Sequence, residues 1–122
     1  MSNNDKHRFT SHMKETFGEY IRKLRNNNGL TLTQLAAKLD LDSANLSKIE
    51  TGKRDFDEKR LEKLADTFEL DLNLLKTEFF SDIIAKIICN SNCSLNVLSI
   101  AEEKVNYLRE KNTKQGDINL RL

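Results

Sequence analysis

The chain has 122 residues, of which 38% are hydrophobic and 32% charged, with a formal net charge of +1, four Gly, no Pro and no Trp. That length suits one small domain with an appendage, and so few turn formers exclude an all-β fold in favour of an all-α one. No apolar run approaches the roughly 18 residues of a membrane span, and no signal peptide is legible, so the expected compartment is the cytoplasm and Cys89 and Cys93 are expected to be free thiols.

The charge is unevenly placed. Residues 1–54 hold ten Lys/Arg and six Asp/Glu, a balance of +4, whereas residues 55–122 hold ten and thirteen, a balance of −3. The asymmetry favours a directed positive face on the N-terminal half, with modest and salt-sensitive attraction for a polyanion.

Residues 1–11, MSNNDKHRFTS, are polar and aperiodic and read as a flexible tail; His7 and Arg8 leave open an arm that touches phosphate. Helix 1 is expected from His12 to Asn28, because Met13, Phe17, Ile21 and Leu24 recur at four, four and three residues on one face. Gly29 ends it in the left-handed conformation. Arg22 and Lys23 lie off that stripe, open to solvent or to phosphate.

Thr31 to Gly52, TLTQLAAKLDLDSANLSKIETG, reads as two short helices joined by a tight turn. Thr31 and Gln34 form a capping box, and Leu30 with Leu35 a hydrophobic staple. Leu35, Ala36 and Leu39 supply the apolar face. The chain turns at Asp40-Leu41, Asp42 caps the second helix with Leu41 and Leu46 as staple, and Gly52 ends it. The second helix turns Leu46 and Ile49 inward. Its outer face, Ser43, Ala44, Asn45, Ser47 and Lys48, is short, polar and lightly basic. A face of that kind fits the DNA major groove, where hydroxyl and amide groups meet base edges and an alanine meets a thymine methyl. The same face also suits an ordinary solvated helix.

Asp57 is the expected cap of helix 4, with Phe56 and Leu61 as staple and Leu61, Leu64, Ala65 and Phe68 buried. Asp71 caps helix 5, with Leu70 and Leu75 as staple. From Leu72 to Cys89 the apolar residues cover more than one narrow stripe, so helix 5 is expected to close the core on one side and meet a second cover on the other. Asn90-Ser91-Asn92 breaks the pattern. Helix 6 is expected from Ser94 to Lys111, with Leu98, Ala101, Val105 and Leu108 as a seam too short for a free coiled coil. Helices 5 and 6 are expected to form a hairpin that pairs with its copy through Phe79, Phe80, Ile83, Ile84, Ile87, Ile88, Leu98 and Val105; the alternative is that helix 6 satisfies helix 5 within one chain. Residues 112–122 read as a flexible tail. The domain division is thus 1–11 tail, 12–76 helix-turn-helix domain, 77–111 dimerisation segment and 112–122 tail.

With these residues in view, positions 17–75 resemble the helix-turn-helix domain of the Cro and phage-repressor (XRE-like) family. The resemblance is carried by Phe17, Ile21, Leu24 and Arg25, then Gly29-Leu30-Thr31, Leu35-Ala36, Leu39, Leu46-Ser47-Lys48-Ile49-Glu50, Gly52-Lys53-Arg54, Leu61, Leu64-Ala65, Leu70 and Leu74-Leu75. It implies a five-helix repressor-like domain whose second central helix lies in the major groove of double-stranded DNA, acting as a dimer on two half-sites about one turn apart. By position, Ser43, Ala44 and Lys48 match base-contacting sites, and Thr51, Lys53 and Arg54 match backbone-contacting sites. Arg25 and Glu50 match a structural ion pair. The family usually carries Gln directly after the Thr31 position; this chain has Leu32, leaving Thr33 and Gln34 as candidate backbone contacts there.

No Ser/His/Asp set, Gly-rich phosphate loop, paired carboxylates or metal-ligand cluster is legible, so neither enzyme activity nor a cofactor is expected. The reading is a DNA-binding transcriptional regulator, of the kind found in prophages or controlling restriction–modification operons. Two alternatives stand beside it: an antitoxin whose C-terminal helices cover a partner protein, and an interaction adaptor that uses the fold without DNA.

Overall fold

The computed structural model of the chain describes residues 14–115. Among these residues six α-helices follow one another: α1 Phe17–Asn27, α2 Leu32–Lys38, α3 Ser43–Glu50, α4 Leu61–Phe68, α5 Leu72–Ser91 and α6 Asn96–Gln115, with a 3-10 turn at Glu58–Arg60 leading into α4. No strand occurs among the described residues. The chain divides into two compact units, Met1–Ile83 and Ile84–Leu122. The expected N-terminal tail with His7 and Arg8, the helical start at His12 and the Met13 contact lie outside the described residues, as does the last part of the expected C-terminal tail.

The starts of α1, α2, α3 and α5 are closed by a side-chain oxygen. The Thr31 hydroxyl accepts from the Gln34 N–H at 3.1 Å while the Gln34 amide oxygen accepts from the Thr31 N–H at 2.8 Å. Asp42 accepts from the Asn45 N–H at 2.8 Å, and Asp71 from the Asn73 N–H at 2.8 Å. Asp57 caps the 3-10 turn rather than α4 itself. α1 begins at Phe17 and residues 14–16 before it are not helical, because Thr16 and Glu19 form a second capping box with bonds of 3.1 and 3.0 Å. The Thr-x-x-Glu spacing at 16–19 is a start signal that the longer apolar stripe outweighs when the sequence is read alone.

The helix ends share one device. After each of α1 to α5 a single residue takes positive φ: Gly29 at 67°, Asp40 at 58°, Gly52 at 84°, Glu69 at 55° and Asn92 at 57°. The next N–H then reaches back five residues to a helical carbonyl: Leu30 to Arg25 at 3.0 Å, Leu41 to Ala36 at 2.9 Å, Lys53 to Lys48 at 2.8 Å, Leu70 to Ala65 at 2.8 Å and Cys93 to Ile88 at 3.2 Å. This closure satisfies carbonyls that a helix end otherwise leaves without donors. Leu30, Leu41 and Leu70 are partly buried against the core. Each ends one helix and immediately precedes the cap of the next, so one apolar contact fixes both sides of a short connection.

Ile21, Leu35, Leu39, Leu46, Leu61, Leu64 and Leu75 are fully buried at the centre of the first unit. An aromatic cluster flanks them: the Phe17 ring lies 5.6 Å from Phe56 and 5.4 Å, edge-on, from Phe79. Phe79 is therefore a core residue, 5% exposed, and not the interface residue expected from its place in the apolar run. Ile83 is likewise partly buried against this core. Gly18 lets α1 approach the end of α3, since a Cβ there would overlap the Ile49 carbonyl oxygen.

The second unit is built differently. No described side chain from Ile84 onward is buried. The four expected seam positions of α6 are all exposed. α6 itself runs to Gln115, past the expected end at Lys111, so the first part of the expected tail is helical.

Candidate nucleic-acid interface

The outer face of α3 stands out because everything behind it is fixed. Leu46 and Ile49 are buried, and so is the Glu50 side chain at the last turn. Glu50 is held by a two-pronged ion pair from α1: Arg25 Nε donates to Oε2 at 2.7 Å and Nη2 to Oε1 at 2.9 Å. The Arg25 Nη1 donates to the Leu30 carbonyl at 3.0 Å, which ties the same guanidinium to the entrance of α2. The hydrogen bond to Glu50 raises the Arg25 pKa above its ordinary value. The expected structural pair is present, and it fixes the distance between α1 and the end of α3.

The turn between α2 and α3 is braced from the other side, by a residue the sequence does not flag. Arg60 Nε donates to the Leu39 carbonyl at 2.8 Å and Nη2 to the Asp40 carbonyl at 3.1 Å, while Nη1 pairs with Asp57 at 2.8 Å. Asp40, in the left-handed conformation, also accepts from Lys63 at 2.7 Å. That bond and the charge of Lys63 lower the Asp40 pKa. Nothing in the spacing of Arg60 separates it from a solvated helix-end cation; only the fold brings it to the turn.

On the outer face Ala44 and Lys48 are exposed, and Ser43, Asn45 and Ser47 are half-buried. Thr51, Gly52, Lys53 and Arg54 follow directly and are all exposed. One expected base reader is already engaged. The Asn45 Nδ2 donates to Asp42 at 3.3 Å and its Oδ1 accepts from Arg54 at 3.2 Å. Asn45 thus links the helix cap to Arg54 and holds that guanidinium beside α3. The Thr51 hydroxyl donates back to the Ser47 carbonyl at 3.0 Å, closing the helix end.

At the start of α2, Thr33 is exposed, while Gln34 spends its amide oxygen on the capping box and keeps its NH2 as a donor. Leu32 is partly buried against the core. The position at which the family carries Gln is used here for packing. Lys23 pairs with Glu15 at 3.3 Å, which draws it toward the segment that leads into α1. Cys89 and Cys93 are exposed free thiols, and no cluster of three or more metal-ligating side chains occurs among the described residues. No described helix is long and apolar enough to cross a membrane.

A family model described as Helix-turn-helix matches residues 21–75. The Control protein C.MunI of a Mycoplasma species is 38% identical over 72 residues, which is 58% of this chain and 92% of that protein. Among solved structures, the clp gene regulator ClgR from Corynebacterium glutamicum is 19% identical with a TM-score of 0.46, covering 79% of this chain and 88% of that one. Matched at 38% identity along nearly the whole of a curated relative, and by the family model from α1 into α5, the chain belongs to the Cro/phage-repressor (XRE-like) helix-turn-helix family of DNA-binding transcriptional regulators, which are not enzymes.

Proposed function

We propose that the protein reads a specific, two-fold-symmetric operator as a homodimer, with one α3 in the major groove of each half-site. The observation that carries this reading is α3 itself: a helix pinned at its end by Arg25 and Glu50, braced at its start by Arg60, with Ser43, Ala44, Ser47 and Lys48 turned outward. Ser43 and Ser47 offer hydroxyls, Ala44 a methyl contact and Lys48 a donor to guanine acceptors. Asn45 acts through Arg54, which it orients. Lys53, Arg54 and Thr51, with Thr33 and the Gln34 NH2, face the phosphates on either side. Two-fold symmetry follows from the way such helices pair on DNA, one per half-site about a turn apart.

The similarity to a protein named as a control protein favours a role in controlling a restriction–modification operon over that of a general prophage repressor. A second reading rests on the exposed apolar side chains of the second unit, which suit a protein partner of the kind that an antitoxin covers. Titration of purified protein with duplex DNA at several salt concentrations tests the proposal. It predicts tighter binding to one duplex than to scrambled competitors, with log affinity falling against log salt by about 0.9 for each phosphate neutralised. Binding indifferent to sequence would return the reading to an adaptor.

A further inference from the structure

The family match ends at Leu75, and α6 lies wholly beyond it. This helix has two apolar stripes where a surface helix has one. Leu98, Ala101, Val105 and Leu108 form the first, spaced three, four and three. Val97, Ile100 and Tyr107 form the second, immediately beside it, with the stem of Lys104 running between Ile100 and Tyr107. At 100° per residue the two stripes together take up roughly half the circumference. The other half is polar: Ser99, Glu102, Glu103, Asn106, Arg109 and Glu110. Within one chain both stripes are uncovered, from Val97 at 39% exposure to Tyr107 at 60%. An apolar arc of that width calls for two neighbouring helices, not one.

We propose that the occupant is a second copy of the chain, and that α5 and α6 of two copies form a four-helix bundle in which α6 meets the partner's α6 on its first stripe and an α5 on its second. This rests on the homodimer reading above and specifies how that dimer is built. The first stripe is complementary to itself when run antiparallel. Leu98 and Leu108 lie equally far along the helix from the level of residue 103, as do Ala101 and Val105, so a two-fold axis crossing the first stripe at that level stacks Leu98 on the partner's Leu108 and Ala101 on the partner's Val105. A small residue then faces a larger one in the inner layers, and leucines close the outer ones, as interdigitated packing requires.

Ile84 and Ile87, 47% and 57% exposed on the last turns of α5, supply the apolar surface for the second stripe. A stable interface removes roughly 800 Å² per partner. The two stripes and the end of α5 hold eight large exposed hydrophobic side chains, and at on the order of 80 Å² each their burial approaches that size.

The test is sedimentation equilibrium of the full chain, wild type beside Leu98→Glu, Ile100→Glu, Asn106→Glu and the double variant Leu98→Glu/Leu108→Lys. Far-UV circular dichroism checks that the first unit stays folded. The bundle predicts a wild-type dimer, at least a 100-fold loss of dimer affinity for Leu98→Glu and for Ile100→Glu, and no change for Asn106→Glu on the polar side. It also predicts recovery in the double variant, because positions 98 and 108 are ten residues apart on one helix and meet only across the two-fold axis. A dimer that resists Ile100→Glu, or a double variant that stays monomeric, overturns the bundle and leaves the homodimer reading standing. A wild-type chain that stays monomeric overturns both.

Discussion

Truncating Glu50 to alanine isolates the contact that fixes α3 to α1. The Arg25 and Glu50 side chains are only 12% and 4% exposed, and they meet through two short bonds. Removing one partner leaves the other charge with little water to solvate it, and breaking a buried pair in this way costs about 3–5 kcal/mol. Arg25 keeps its bond to the Leu30 carbonyl and some exposure, so the lower end, about 3 kcal/mol, is expected. In a domain of this size each kcal/mol lowers the Tm by about 4–8 °C, which places the loss at roughly 12–24 °C. Thermal and urea unfolding followed by circular dichroism measure it. The double variant Arg25→Met/Glu50→Leu should recover most of the loss, because no orphan charge remains. A single variant that loses less than about 1 kcal/mol would refute the argument and reduce the pair to a surface contact.

Gly18→Ala should destabilise by about 2 kcal/mol despite the better helix propensity of alanine, since the added methyl meets the Ile49 carbonyl rather than a movable side chain; the same unfolding assay reads it. Glu69→Gly should stabilise by about 1 kcal/mol, because Glu69 holds a left-handed φ of 55° that glycine adopts without strain. Lys48→Ala should change which duplex is preferred, whereas Lys53→Ala should weaken all duplexes about equally and lower the salt slope by about 1; competition titrations separate the two. Asp40 has a folded pKa below its unfolded value, so its pairing with Lys63 stabilises the chain above the ordinary carboxylate range and is lost as pH falls through the folded value. Lys63→Ala should therefore remove a stability increment at pH 5–7 and leave stability unchanged below both pKa values, a difference that acid titration of the unfolding midpoint detects.

The parts of the fold legible in the sequence are those governed by local chemistry. Thr31, Asp42 and Asp71 cap the helices they were expected to cap, and Gly29 and Gly52 end the helices they were expected to end. These signals need only a few neighbouring residues. Asp40 and Glu69 take the same left-handed role without the glycine that advertises it, and what holds Asp40 there includes Arg60, twenty residues further on. Phe79 shows the other limit. Apolar residues are dense on more than one side of the helix from Leu72 to Ile88, and only the position of the Phe17 and Phe56 rings decides that Phe79 faces inward.

The site follows the same division. The spacing of Ser43, Ala44, Ser47 and Lys48 alone places them on one face of a helix. The bond that turns Asn45 from a reader into a support for Arg54 spans nine residues and a helix end, and no periodicity announces it. Leu32 departs from the family pattern because the core uses it. The second unit was legible as apolar excess, and its uncovered state in a single chain is what gives that excess a meaning.

In the proposed function α3 reads base sequence as one of a symmetric pair. Selection of bound sequences from random duplex DNA by the purified protein at physiological salt tests it most directly. The expected result is enrichment of a two-fold-symmetric motif whose half-sites are centred about one helical turn, or a small multiple of it, apart. A pool that remains random after repeated selection would contradict it.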